Sequence, residues 1–109
     1  MISIEVSLDR EGVLYALRVC GHSHSGPRGS DIVCAAVSVL TRTFIQVVSS
    51  REGVSARFSA PERGFLEFSA HYGEAGKNFL YCSGVFLLEG LKSLRDEYPE
   101  YCSLDILQD

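Results

Sequence analysis

Ile2-Ser3-Ile4-Glu5-Val6-Ser7-Leu8 alternates apolar and polar residues without a break, the period of a strand with one buried face. Asp9-Arg10-Glu11-Gly12 is turn chemistry. Residues 13–20 alternate again, with Val13, Tyr15, Leu17 and Val19 on one face and Leu14, Ala16, Arg18 and Cys20 on the other. The two segments predict a hairpin. A glycine-bearing stretch follows, and then apolar residues at helical spacing from Ser30 or Asp31, both good N-caps, to about Ser49. Arg51-Glu52-Gly53 ends that helix. Residues 54–59 and 65–70 read as strands joined by the turn Ala60-Pro61-Glu62-Arg63-Gly64. Residues 71–77, with two glycines, read as a loop. A second helix spans 78–97, with Leu80, Leu87, Leu91 and Leu94 in one stripe and Phe79, Cys82 and Phe86 in another, and Pro99 stops it. Residues 101–107 read as a last strand.

The expected fold is α+β: strand, strand, helix, strand, strand, helix, strand, one sheet packed with two helices. The 109 residues make a single domain by size. Both helices are more apolar than one small sheet needs to cover, which points to a homodimer. A charge of -4 argues against nucleic-acid binding and suits a cationic partner segment. No charged segment followed by an apolar one is visible at the start, so no signal peptide is expected. The apolar run from Ile32 is broken by Cys34, Ser38, Thr41, Arg42, Thr43 and Gln46, short of a membrane span. A cytoplasmic protein is expected, and its four cysteines, with no CxxC pair, as thiols. Cys82 and Cys102 are assigned to the core.

Candidate chemistry concentrates between Gly21 and Ser38. With the helix starting at Asp31, Cys34 falls in the first turn, where free N–H groups and the helix dipole favour a thiolate. Asp31, Cys34 and Ser38 stand at i, i+3 and i+7, on one face. His22 is within loop reach of Cys34 as a base that later protonates a leaving amine. Asp31 either caps the helix or orients the imidazole; Ser38 either joins the site or bonds back to helix carbonyls. Gly26 and Gly29 open backbone shapes closed to other residues, including an oxyanion hole. Each residue taken singly has a plainer reading: a buried thiol, a surface histidine, an N-cap, turn glycines. Their conjunction is the signal. Cys20, His22 and His24, with Cys34 as a fourth ligand, suggest zinc, but Cys20 and His24 on an extended strand would stand about 13 Å apart.

Gly21-His22, Gly29 and Asp31-Ile32-Val33-Cys34-Ala35-Ala36-Val37-Ser38 resemble the ribosomal-processing cysteine protease (Prp) family. The resemblance implies a cysteine endopeptidase with Cys34 as nucleophile, His22 as base, and Asp31 and Ser38 in support. It implies that the substrate is the N-terminal extension of a bacterial large-subunit ribosomal protein precursor, number twenty-seven. It also implies a dimer and a glycine loop that moves to admit peptide; no cofactor or metal is expected. Family members often carry a small apolar residue after the histidine; here Ser23 and then His24 follow. The competing expectations are a ribosome-associated module that binds peptide without turnover, and a zinc-binding domain. A loop over 23–30, disordered or displaced without substrate, is also expected.

Overall fold

A computed structural model describes residues 1–21, 28–62 and 64–109, with backbone alone for 28–31. Its elements run β1 (Ile2–Leu8), β2 (Leu14–Cys20), α1 (Arg28–Ser49), β3 (Val54–Ser59), β4 (Phe65–Tyr72), α2 (Glu74–Glu97) and β5 (Cys102–Gln108). This is the expected order. The strands form one mixed sheet, β3-β4-β2-β1-β5, antiparallel except where β5 runs parallel to β1. α1 crosses from β2 to β3, and α2 crosses from β4 to β5 in the opposite lateral direction. Because β2 and β4 also point opposite ways, the right-handed crossover rule puts both helices on one side.

Strand register shows the same division. Ile4, Val19 and Leu66 lie side by side across three strands, as do Val6, Leu17 and Phe68, and all six are buried. The alternate rows, Ser3-Cys20-Phe65 and Glu5-Arg18-Glu67, face away from the helices. The expected two faces of β2 hold except at Leu14. A bulge opposite Ser7 and Leu8 lets the ladder skip Tyr15, so Val13 and Leu14 are both buried. Gly84 makes room for Leu14: a Cβ there would come within 2.8 Å of the Leu14 Cβ.

Both helices start earlier than their sequence signals. α1 begins at Arg28, so Ser30 and Asp31 lie inside its first turn rather than capping it. Pro27, which precedes it in sequence, is the start signal that those two residues masked. α2 begins at Glu74, and Gly73 alone joins it to β4. Its Gly76 is helical because the backbone of Gly53 packs against it, a tertiary contact that overrides glycine's poor propensity.

The outer sides of the helices also differ from expectation. Leu80, Leu87 and Leu91 are buried, but Phe86 is 77% exposed and Cys82 is exposed, not core. These two face away from the sheet. Phe79 is half-buried, with the Arg51 guanidinium 4.1 Å above its ring. Ile32–Ser49 is, by length and hydropathy, apolar enough to cross a membrane, despite its polar interruptions. In the fold its Val33, Val37, Phe44, Ile45 and Val48 bury against the sheet, while Ile32, Val39 and Val47 stay exposed.

A polar anchor ties the far end of the sheet. The Tyr72 hydroxyl donates to Asp9, whose other carboxylate oxygen accepts the N–H groups of Glu11 and Val13 at 2.9 and 3.0 Å. Burial alone would raise the Asp9 carboxyl, but these hydrogen bonds and the Lys77 charge outweigh it and hold it below the usual 3.8. The same Asp9 bond, with burial, pushes Tyr72 up to about 12. Asp9 therefore lends stability above its unfolded pKa that is lost as pH falls through its lowered folded pKa. Tyr72 lends stability below about 10 that is lost as pH climbs towards about 12. Tyr72→Phe is expected to cost about 1–2 kcal/mol near neutrality and to flatten both limbs of a stability–pH profile measured by urea unfolding.

Candidate active site

The cleft that holds Cys34 lies between α1 and the β3–β4 turn, on the helix side of the sheet. Its volume is about 860 Å³. α1 supplies Cys34, Ala35, Ser38, Thr41 and Arg42; the opposite wall comprises Phe58, Ala60, Pro61, Glu62, Gly64 and Phe65; Ile2, Val19, Gly21 and Leu66 complete it. The helical repeat aligns Cys34, Ser38 and Arg42 at successive turns. The Cys34 thiol is half-buried and in no disulfide, whereas Ser38 is exposed. Thr41 is the buried polar residue beneath them. Its hydroxyl donates to the carbonyls of Val37 at 2.8 Å and Ser38 at 3.3 Å, which lets a threonine sit in the core.

Gly21 acquires a geometric reason. Its φ is +101°, and a Cβ on it would sit 2.4 Å from the Met1 carbonyl oxygen. Its N–H donates to the Gly64 carbonyl at 2.8 Å. Gly21 thus pins the end of β2 between the chain start and the β3–β4 turn, beside the cleft.

Cys34 and Ser38 are brought to one cleft as expected. Cys34, however, is in the second turn of α1, because the helix starts at Arg28 and not at Asp31. Its own N–H is inside the helical ladder and the dipole is weaker there, so the helix end alone is a poorer reason for a thiolate. Gly29 is a helical residue rather than a loop residue, as are Arg28 and Ser30. His22, His24 and Gly26, and most of the expected mobile loop, lie outside the described residues, as does the side chain of Asp31. Cys20 points to the opposite side of the sheet from the helix layer, so it cannot share a metal ion with Cys34. Arg42, Phe58, Pro61 and Glu62 were missed as cleft residues. Arg42 was within reach, since it continues the 31-34-38 line by one more turn; the β3–β4 wall had no local signal.

A half-buried thiol outside any disulfide, in the wall of an open cleft on an α+β sheet, is an arrangement that a cysteine peptidase can use. The family model for cysteine protease Prp matches residues 1–103, and the chain belongs to that family; it is a cysteine protease. SMU.848 from Streptococcus mutans is 25% identical with a TM-score of 0.79, over 100% of this chain and 96% of that one. An essential ribosomal processing protease Prp from S. aureus, solved with a substrate peptide, has a TM-score of 0.82 at 19% identity, over 97% of this chain and 99% of that one. The same S. aureus protease with a covalently linked product peptide gives 0.78, at 19% identity and the same coverage. No curated protein is significantly similar in sequence.

Proposed function

We propose that this protease acts in the cytoplasm in ribosomal protein processing, removing the N-terminal extension of the large-subunit ribosomal protein twenty-seven precursor. The observation that carries the reading is the Cys34 thiol in the wall of an open cleft of about 860 Å³. The S. aureus relative, seen with a substrate peptide and with a covalently linked product, supports it. In the proposed reaction, His22 takes the Cys34 proton and the sulfur attacks the scissile carbonyl. The C–N bond breaks as the imidazolium protonates the departing amine. Water, deprotonated by His22, then splits the thioester and restores the thiol. Asp31 and Ser38 support these two groups. Incubation with the precursor, followed by mass analysis of the new N-terminus, tests the substrate. A single cut that frees the extension is expected; capture of the precursor without cleavage would instead support a binding module.

We also propose that the protein works as a homodimer. α1 turns Ile32, Val39, Thr43, Gln46 and Val47 outward without a charge, and Phe86 of α2 stands exposed on the outer side. Such a patch suits a second copy of itself, since a two-fold contact brings no like charges together. Phe86→Glu is expected to convert a dimer into a monomer in light scattering; a wild-type chain that is monomeric at micromolar concentration would contradict the proposal.

A further inference from the structure

β2 and β4 part at the cleft through two glycines. The paired ladder between these strands ends at Cys20 and Phe65. One more hydrogen bond, from the Gly21 N–H to the Gly64 carbonyl at 2.8 Å, adds a rung beyond it. Both glycines have positive φ, +101° and +83°, and both line the cleft. From this rung one chain continues to His22, and the other runs back to Glu62 and Pro61 in the wall opposite Cys34.

Gly21 is confined as well as bonded. A Cβ on it would lie 2.4 Å from the Met1 carbonyl oxygen and 3.5 Å from the Ile2 Cα. That obstacle is backbone, and it is held: the Ile2 N–H donates to the Tyr101 carbonyl at 2.9 Å, and Ile2 pairs with Cys102 in the sheet. Gly12, in the β1–β2 turn, shows a turn glycine without this confinement. Its φ is +85°, but a Cβ there would meet a Tyr81 ring carbon at 3.4 Å, an ordinary contact. We infer that Gly21 and Gly64 are positioning residues for the reaction: the rung between them fixes the point at which the chain leaves β2 for His22, and ties that point to the wall opposite the thiol. A base must come within hydrogen-bond reach of the proton it takes, so a shift of about 1 Å in its backbone costs rate rather than binding. The inference rests on the reading of His22 as base and Cys34 as nucleophile.

The test compares Gly21→Ala with Gly12→Ala in the precursor-cleavage assay, at a temperature where both are folded. Gly12→Ala forces a side chain into positive φ away from the cleft, so it measures backbone strain alone. Gly21→Ala is expected to lower kcat about tenfold or more relative to Gly12→Ala, with KM within about twofold. A second readout needs no turnover. Gly21→Ala should slow iodoacetamide alkylation of Cys34, and should have no further effect in a His22→Ala background, since a residue that acts through His22 then has nothing to act on. If Gly21→Ala does not fold, Gly64→Ala strains the same bond from the acceptor side, and the same two readouts decide. A kcat equal to that of Gly12→Ala, or an undiminished effect on alkylation without His22, would overturn the inference while leaving the protease reading intact. Wild type that fails to cleave the precursor, or His22→Ala that cleaves it like wild type, would instead overturn the reading beneath it.

Discussion

Cys34→Ala is expected to lower precursor cleavage by on the order of a thousandfold or more, because in the proposed reaction it removes the atom that forms the acyl intermediate. The loss should lie in kcat, with precursor binding retained, since alanine keeps the shape of the cleft wall. Thermal unfolding should move little: the residue is half-buried at the edge of the core and one sulfur is lost. His22→Ala is expected to give a comparable fall, and a second readout separates its role from that of the helix. A thiol with an ordinary pKa of about 8.5 is a few per cent ionised near pH 7. Cys34 sits in the second turn of α1, so the proposed mechanism relies on a base more than on the helix end. Iodoacetamide alkylation of Cys34 near neutrality should therefore slow in His22→Ala. An unchanged rate would return the dipole to the leading role.

The largest effect on stability is expected at Gly76. A Cβ there would lie 2.4 Å from the Gly53 carbonyl oxygen and 2.8 Å from a Val54 methyl. The first obstacle is backbone, and that backbone is held, because the same carbonyl accepts the Gly73 N–H at 2.9 Å. Gly76→Ala must push the start of α2 away from the turn before β3, at a cost of about 3 kcal/mol or more. That corresponds to a drop in Tm of more than about 10 °C for a domain of this size. Alanine is ordinarily the better helix former by about 1 kcal/mol, so the sign of the change is itself informative. Gly73 is the control. Nothing lies within 4 Å of a Cβ built there, and it caps α2 without a side-chain bond. Gly73→Asp should gain a few tenths of a kcal/mol.

The element order was legible because the alternation in β1 and the leucine stripe of α2 are local patterns with distinct periods. What escaped the sequence depends on contacts between distant segments. Gly73 and Gly76 look like loop residues until Gly53 is packed against one of them. Leu14 is assigned to the wrong face because the ladder skips a single residue, Tyr15. Tyr72 resembles a surface residue until the β1–β2 turn brings Asp9 to its hydroxyl. At the site, Cys34 and Ser38 were legible as a pair since helical spacing alone unites them. The opposite wall was not, because Phe58, Pro61 and Glu62 reach the cleft through sheet pairing rather than through any motif.

The central claim is that Cys34 forms the covalent bond to substrate. Acid quenching during turnover of the precursor, followed by intact-mass and peptide mapping, tests it directly. The expected result is an adduct with the mass of the acyl fragment, carried by Cys34 and absent from Cys34→Ala. Turnover with no adduct on Cys34, or with the adduct on Cys20, Cys82 or Cys102, would contradict it.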